Sequence, residues 1–306
     1  MRSAVLPGHT SERLKAIGTV PSLFAGVVPA ALGLVPWLIT GMRLPLQNLW
    51  AVPASPDQMP VVLLPFSQYA LAPLAAMIVI GSALAGCLAR AARIRSGRFA
   101  PGALTAGVVA VQAVAAVQTA VTVAGGLSGT SAAGVYLTAL VAWTVAAMLA
   151  GILVLLLIAR APRAGAVIGL GIAGVLAGAW LGGIVVPFGT DATDTQAVLL
   201  GAVRWIPAVV AGLAVAWCGL GTSGRLCAAV GSLLVLWIGP AALTAISAAA
   251  GTRVLAGRPA EMAEYAAQVF ARALGLQGGS LPLVVAGGIV MVLGLAGRRL
   301  MRRPGR

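Results

Sequence analysis

The chain has 306 residues, of which 60% are apolar and 8% charged, with a formal net charge of +14 and a mean hydropathy of +1.03. A soluble domain averages about 25% charged residues, so there is too little polar surface here to cover a fold in water. Period-two alternation is absent, which excludes an outer-membrane barrel, and no aromatics interleave the basic clusters to stack bases, which excludes nucleic acid as a partner.

The chain reads as an all-α polytopic membrane helix bundle in a single transmembrane domain. Several apolar runs reach the roughly 20 residues needed to cross the hydrocarbon core. Arg2, Arg13 and Lys15 precede the first run. That run, 17–40, is longer than the roughly 7–15 residues of a signal-peptide core and no A-x-A site follows it, so it is expected to be a retained first span. Further spans are expected at about 61–89, 102–126, 133–159, 165–188, 203–220, 226–250 and 281–297, eight in all. With the N-terminus inside, 15 of the 20 basic residues fall on the cytoplasmic side, among them Arg90, Arg93, Arg95, Arg98, Arg160, Arg163, Arg225, Arg298, Arg299, Arg302, Arg303 and Arg306. Arg43, Arg204, Arg253, Arg258 and Arg272 remain outside, with five of the six acids. Both termini are therefore expected in the cytoplasm. The excess of Arg over Lys, with abundant Ala, Gly and Val, suggests a bacterial plasma membrane.

Prolines punctuate the first two spans: Pro21, Pro29 and Pro36, then Pro65 and Pro73. Each removes a backbone donor. Two readings stand, packing kinks or the broken helices that line transporter sites, and kinks are the commoner. The outer loop 42–60 carries Leu44, Leu46, Leu49 and Trp50, suited to the membrane interface, while Pro53, Pro56 and Pro60 keep it extended. On a helical wheel of the third span, Thr105, Gln112, Gln118, Thr119 and Thr122 share one face. This face is either interhelical glue or the polar wall of a path, and glue is the commoner role. In the fifth span Gly174, Gly178 and Gly182 recur every four residues, a flat stripe for close approach of another helix, within the chain or in a partner.

Residues 259–274 form a separate amphipathic pattern. Glu261, Glu264, Gln268 and Arg272 take one narrow arc, while Met262, Tyr265, Val269 and Phe270 lie opposite. Pro259 suits the first helical position, and Gly275, Gly278 and Gly279 end the helix. It is expected to be an outer-surface helix, set against lipid or the tops of the spans and available as a lid or to a protein partner.

Catalytic chemistry finds no support. Gly219, Gly221 and Gly224 spell GxGxxG, but they form a tight turn with no preceding strand. Ser128 and Ser223 stand in GxSG contexts, yet the single His9 lies in the tail, out of reach as a base. Cys87, Cys218 and Cys227 lack histidine or carboxylate neighbours for a metal site. No span carries an ionisable residue in its central portion, which argues against a carboxylate-driven pump. No catalytic residue, cofactor or metal is therefore expected. The sequence points to a permease or channel-like component for a neutral or lipidic substrate, in a homo- or hetero-oligomer or alone. The alternative is a scaffold or accessory subunit of an envelope, division, secretion or respiratory complex.

Overall fold

A computed structural model describes residues 18–96, 101–252, 254–255 and 257–301. Arg2, His9, Arg13, Lys15, Arg98, Arg253, Arg302, Arg303 and Arg306, and residue 17 of the first expected span, lie outside the described residues. The described chain is helical: α1 (Thr19–Gly33), α2 (Val35–Leu38), α3 (Leu71–Ser96), α4 (Pro101–Gly126), α5 (Ser131–Ala159), α6 (Arg163–Val185), α7 (Asp194–Val203), α8 (Ile206–Cys218), α9 (Ser223–Gly251), α10 (Pro259–Leu274) and α11 (Ser280–Met301). Seven helical stretches are long and apolar enough to cross a bilayer, counting α7 and α8 as one. This multi-pass bundle matches the expected all-α fold class, with seven such stretches among the described residues where eight were expected; α1, at 15 residues, is not among the seven.

Three expected spans differ in detail, each time at proline. The run 17–40 is not one long helix but the 15-residue α1 followed by one turn, α2. Pro36 has no N–H for the Leu32 carbonyl and its ring crowds that carbonyl, so the ladder breaks at Leu34. The expected span 61–89 starts as helix only at Leu71. Pro65 disfavours helix in the residue before it, and residues 61–70 form a bridge, a bend at Leu63–Leu64 and a turn instead. The span 203–220 is the second half of a longer path. The Thr193–Gln196 capping box starts α7 at Asp194, and Pro207 interrupts the helix between Val203 and Ile206. Arg204 thus lies at the break within the 25-residue stretch Asp194–Cys218, not at its edge, with its guanidinium 5.0 Å from the Trp205 ring.

Helix α3 is the axis of the bundle. Of its most apolar stretch 72% is buried, against 17% for α11. It packs on α1, α5 and α6, while α6 carries α8 and α9, and α11 completes the bundle against α8 and α9. The arginines of separate segments gather at one end: Arg90 donates to the Ile158 and Ala161 carbonyls, Arg298 to those of Ala216 and Trp217. This is the arginine end. The opposite, loop end carries 41–70, the α6–α7 connection and the α9–α10 turn.

Segment 41–70 folds inward. Leu44, Met59, Val62, Leu64 and Phe66 are fully buried, in one core with Leu74, Ile78 and Val123. The two limbs of this segment meet in an isolated antiparallel bridge, Arg43 with Val61, and Trp50 bridges to Leu127 after α4.

The closest helix contacts are made by glycines of the first span. A Cβ at Gly26 would run into the Leu104 carbonyl of α4, one at Gly107 into the Leu23 carbonyl of α1, and one at Gly33 into the Met77 carbonyl of α3. A Cβ at Gly81 would lie only 3.0 Å from the Ala30 Cα. By contrast a Cβ at Gly178 would meet the Pro207 ring at an ordinary 3.5 Å, and one at Gly182 the Leu200 side chain at 3.7 Å. Gly26→Ala is therefore expected to cost about 1–3 kcal/mol or more through overpacking, whereas Gly178→Ala stays within about 1 kcal/mol of wild type. Thermal unfolding of the two variants in the same detergent measures the difference.

Candidate functional site

The polar face of α4 is spent on two different neighbours. Gln112, 3% exposed, donates from Nε2 to the Ile78 carbonyl and the Ser82 hydroxyl of α3, both at 3.0 Å. Two turns on, Gln118 and Thr119 hold extended backbone. The Leu63 amide donates to Gln118 Oε1 (2.9 Å), the Leu64 amide to Thr119 Oγ1 (3.0 Å), and Gln118 Nε2 donates to the Val61 carbonyl (3.1 Å). Thr122 Oγ1 donates back to the Gln118 carbonyl and supports its side chain. From the other side Trp37 Nε1 donates to the Val62 carbonyl at 2.8 Å. Thr105, half-buried, lies about 10 Å along α4 from Gln112.

None of these five α4 residues lines the cavity at the loop end. That cavity has a volume of about 650 Å3, within the range of small-molecule sites. It is lined by segment 46–49, residues 67–69, the first turns of α5, the α9–α10 turn and Met262, and it opens to the surface beside the exposed Val135. Its polar wall is built around Gln47. Nε2 donates to the Pro45 and Phe66 carbonyls at 2.7 and 2.9 Å, and Oε1 accepts the Tyr136 hydroxyl at 2.7 Å. The amide is thus locked by the loop on one side and by α5 on the other. Asn48, Ser67, Gln68 and Thr252 add uncharged polar groups, while Leu46, Val135 and Met262 supply apolar ones. Among the described residues no charged side chain lines it.

Helix α10 reaches this wall from outside the bundle. Gly257, at φ +85°, makes the turn that a side-chain-bearing residue would resist. Met262 then faces the cavity, and the far end of α10 meets the middle of α9, where Trp237 Nε1 donates to the Leu274 carbonyl at 3.2 Å. So α10 packs lengthwise and antiparallel on the loop-end half of α9. Val269 and Phe270 are half-buried; Tyr265 is 39% exposed. The charged side stays outward, with Arg258 paired to Glu261 at 3.3 Å and Gln268 donating to Glu264. The glycine stripe of α6 is occupied within the chain: Gly174 lies against Val210, Gly178 against Pro207 and Gly182 against Leu200.

Elsewhere at the loop end, the Ser55 hydroxyl holds the Asp57 carboxyl below the usual carboxylate range, helped by its own backbone amide and by Arg43. Among the described residues no three His, Cys, Asp or Glu side chains stand close enough to hold a metal ion.

Gln47, Tyr136, Gln68 and Tyr69 carried no pattern that singled them out in sequence. The available signal was composition: Gln47 and Gln68 are amides in segments otherwise rich in leucine and proline.

The hydrogen bonds separate the two α4 glutamines. Gln118→Leu strands the Leu63 amide in an apolar setting and is expected to cost about 1–3 kcal/mol. Gln112→Leu is expected to stay within about 1 kcal/mol, since its Oε1 is buried without a partner and Ser82 Oγ already donates to the Ile78 carbonyl. Denaturant or thermal unfolding of each single variant reads this out. No family model matches the chain, and neither a curated protein nor a solved structure does, so its function is read from the cavity and its walls.

Proposed function

We propose that the protein is a non-catalytic transport component that admits a neutral, amphipathic or lipid-like molecule through the loop-end cavity. One observation carries this reading: a cavity of about 650 Å3 whose described walls are apolar and uncharged-polar side by side. A charged solute would leave most of its hydration there for no counter-charge. A neutral molecule with one polar end loses far less, and Asn48, Gln68 and Thr252 offer donors and acceptors to that end. The helix breaks support the same reading. Two helical stretches, α1–α2 and α7–α8, are interrupted beside α6, away from the cavity wall itself, and broken helices are a recurrent feature of membrane transporters. In this reading the arginine end faces the cytoplasm and the cavity opens from the other side.

A second reading, a scaffold or accessory subunit, is favoured by α10, whose outward side is polar and exposed while its apolar side is already committed to α9. The protein would then present that helix to a partner.

Proteoliposomes distinguish the two. Wild-type protein is expected to speed the swelling of vesicles in neutral polyols, or the dithionite reduction of a fluorescent zwitterionic lipid, above protein-free vesicles. Val135→Trp, which fills the cavity, is expected to return the rate to that of empty vesicles while the protein still inserts and elutes as wild type. No acceleration of either probe, together with a stoichiometric protein retained in mild detergent and lost in Glu264→Lys/Arg272→Glu, replaces transport with the scaffold reading.

A further inference from the structure

At the arginine end a second cavity, of about 450 Å3, lies between α6, the α8–α9 turn and α11. Four guanidinium-bearing residues line it: Arg163 from α6, Arg225 from α9, and Arg298 and Arg299 from α11. Among the described residues no carboxylate joins them. The described acids, Asp57, Asp191, Asp194, Glu261 and Glu264, all belong to loop-end segments, and the one described ion pair is Arg258 with Glu261. Like charges gathered without a counter-ion repel one another, so such a pocket is at its most stable with an anion inside.

The arginines are also held in position. Arg163 lies 5.8 Å from the Trp217 ring centre, on a ring that Arg90 approaches to 5.1 Å. Arg298 donates to the Ala216 and Trp217 carbonyls at the end of α8. Gly219, at φ +76°, turns the chain there and leaves backbone rather than a side chain beside the Arg298 guanidinium. Arg163 and Arg298 are thus fixed by contacts, Arg225 is half-buried, and Arg163 and Arg299 are exposed, so the pocket opens to a ligand from the surface.

An apolar groove runs on from it. About 430 Å3 in volume, it lies along α11 against Val292, Ala296 and Leu300, and shares Leu295 and Arg299 with the arginine cavity. Its walls face outward from the bundle: Val292 is 59% exposed and Leu300 66%. A basic pocket at the end of spanning helices, continuous with an apolar groove that faces lipid, has the two halves of a phospholipid site.

We propose that an anionic phospholipid binds here, its phosphate among Arg163, Arg225 and Arg299 and an acyl chain along the α11 groove. Guanidinium suits phosphate because its planar fork donates two parallel hydrogen bonds. Arg298 holds the end of α8 and shapes the pocket. The site is separate from the loop-end cavity, and the proposal stands whether or not the protein transports.

Native mass spectrometry of the full chain in a neutral detergent tests it, with phosphatidylglycerol, phosphatidylcholine of the same acyl chains and inorganic phosphate as probes. Wild type is expected to retain one phosphatidylglycerol in clear preference to phosphatidylcholine, and millimolar phosphate is expected not to displace it. Arg225→Gln/Arg299→Gln should weaken phosphatidylglycerol roughly thirty-fold, at about five-fold per lost charge, and leave phosphatidylcholine unchanged. Arg225→Lys/Arg299→Lys should keep most of the preference. If the glutamine pair fails to fold, Ala296→Trp, which fills the groove and leaves every arginine in place, must weaken phosphatidylglycerol by itself. Equal retention of the two lipids by wild type overturns the proposal, as does unchanged phosphatidylglycerol binding in the variants. Displacement by inorganic phosphate, with Ala296→Trp silent, makes the pocket a free-anion site and overturns the lipid.

Discussion

The structure depends on satisfying the backbone of one extended segment away from water. Residues 61–64 are neither helix nor sheet, yet Val62 and Leu64 are completely buried. Each unpaired amide or carbonyl there would cost about as much as a lost hydrogen bond, and lipid offers no substitute. Gln118, Thr119 and Trp37 act as the missing neighbouring strands, two from α4 and one from α2. With its backbone paired, the segment can drive Leu64 and Phe66 into the core against α3. It also places the Phe66 carbonyl where Gln47 can grip it. The cavity wall is therefore a downstream product of two α4 side chains that never touch the cavity.

A second constraint is closeness. Helix α1 approaches both α3 and α4 so tightly at Gly33 and Gly26 that carbonyl oxygens occupy the places of the absent side chains. Dispersion between backbones, rather than the hydrophobic effect, holds helices together when the solvent is itself apolar. The short, broken first span is thus anchored by contact quality instead of length. Its glycines are seven apart and so escape a search for four-residue spacing, whereas in the conspicuous stripe only Gly174 is tight, against Val210 of α8, and Gly178 and Gly182 make ordinary contacts with Pro207 and Leu200.

The class of the fold was legible because it follows from bulk properties: apolar runs of sufficient length and few charges. The limits of α4, α5 and α9 followed to within a few residues from their apolar runs, and those of α10 from Pro259 and Gly275; the caps Thr130 and Thr222, which start α5 and α9, emerged only from the structure. The boundaries at 61–70 and 194–206 were not legible, since hydropathy cannot tell an apolar helix from an apolar extended segment paired to side chains elsewhere. The α4 polar face was visible on the wheel, but its division between Ser82 on α3 and the backbone of 61–64 is tertiary. The cavity was invisible for the same reason. Its walls come from four separated segments, and of their residues only Leu46, Leu49 and Met262 stood out in the sequence, each as an interfacial apolar side chain rather than as part of a cavity.

The break in the first span has a consequence for how the protein is made. Where the helix yields at Leu34, Trp37 turns its amide to the Leu34 carbonyl, and the Gly33 carbonyl loses the partner that a continuous helix would supply. That carbonyl is taken up by Trp180 Nε1 at 2.8 Å, from a residue 147 positions further along the chain. Synthesis proceeds from the N-terminus, so Trp180 is made long after Gly33. The final packing of α1 therefore needs the sixth helix, because the acceptor freed by the break at Leu34 has its partner there.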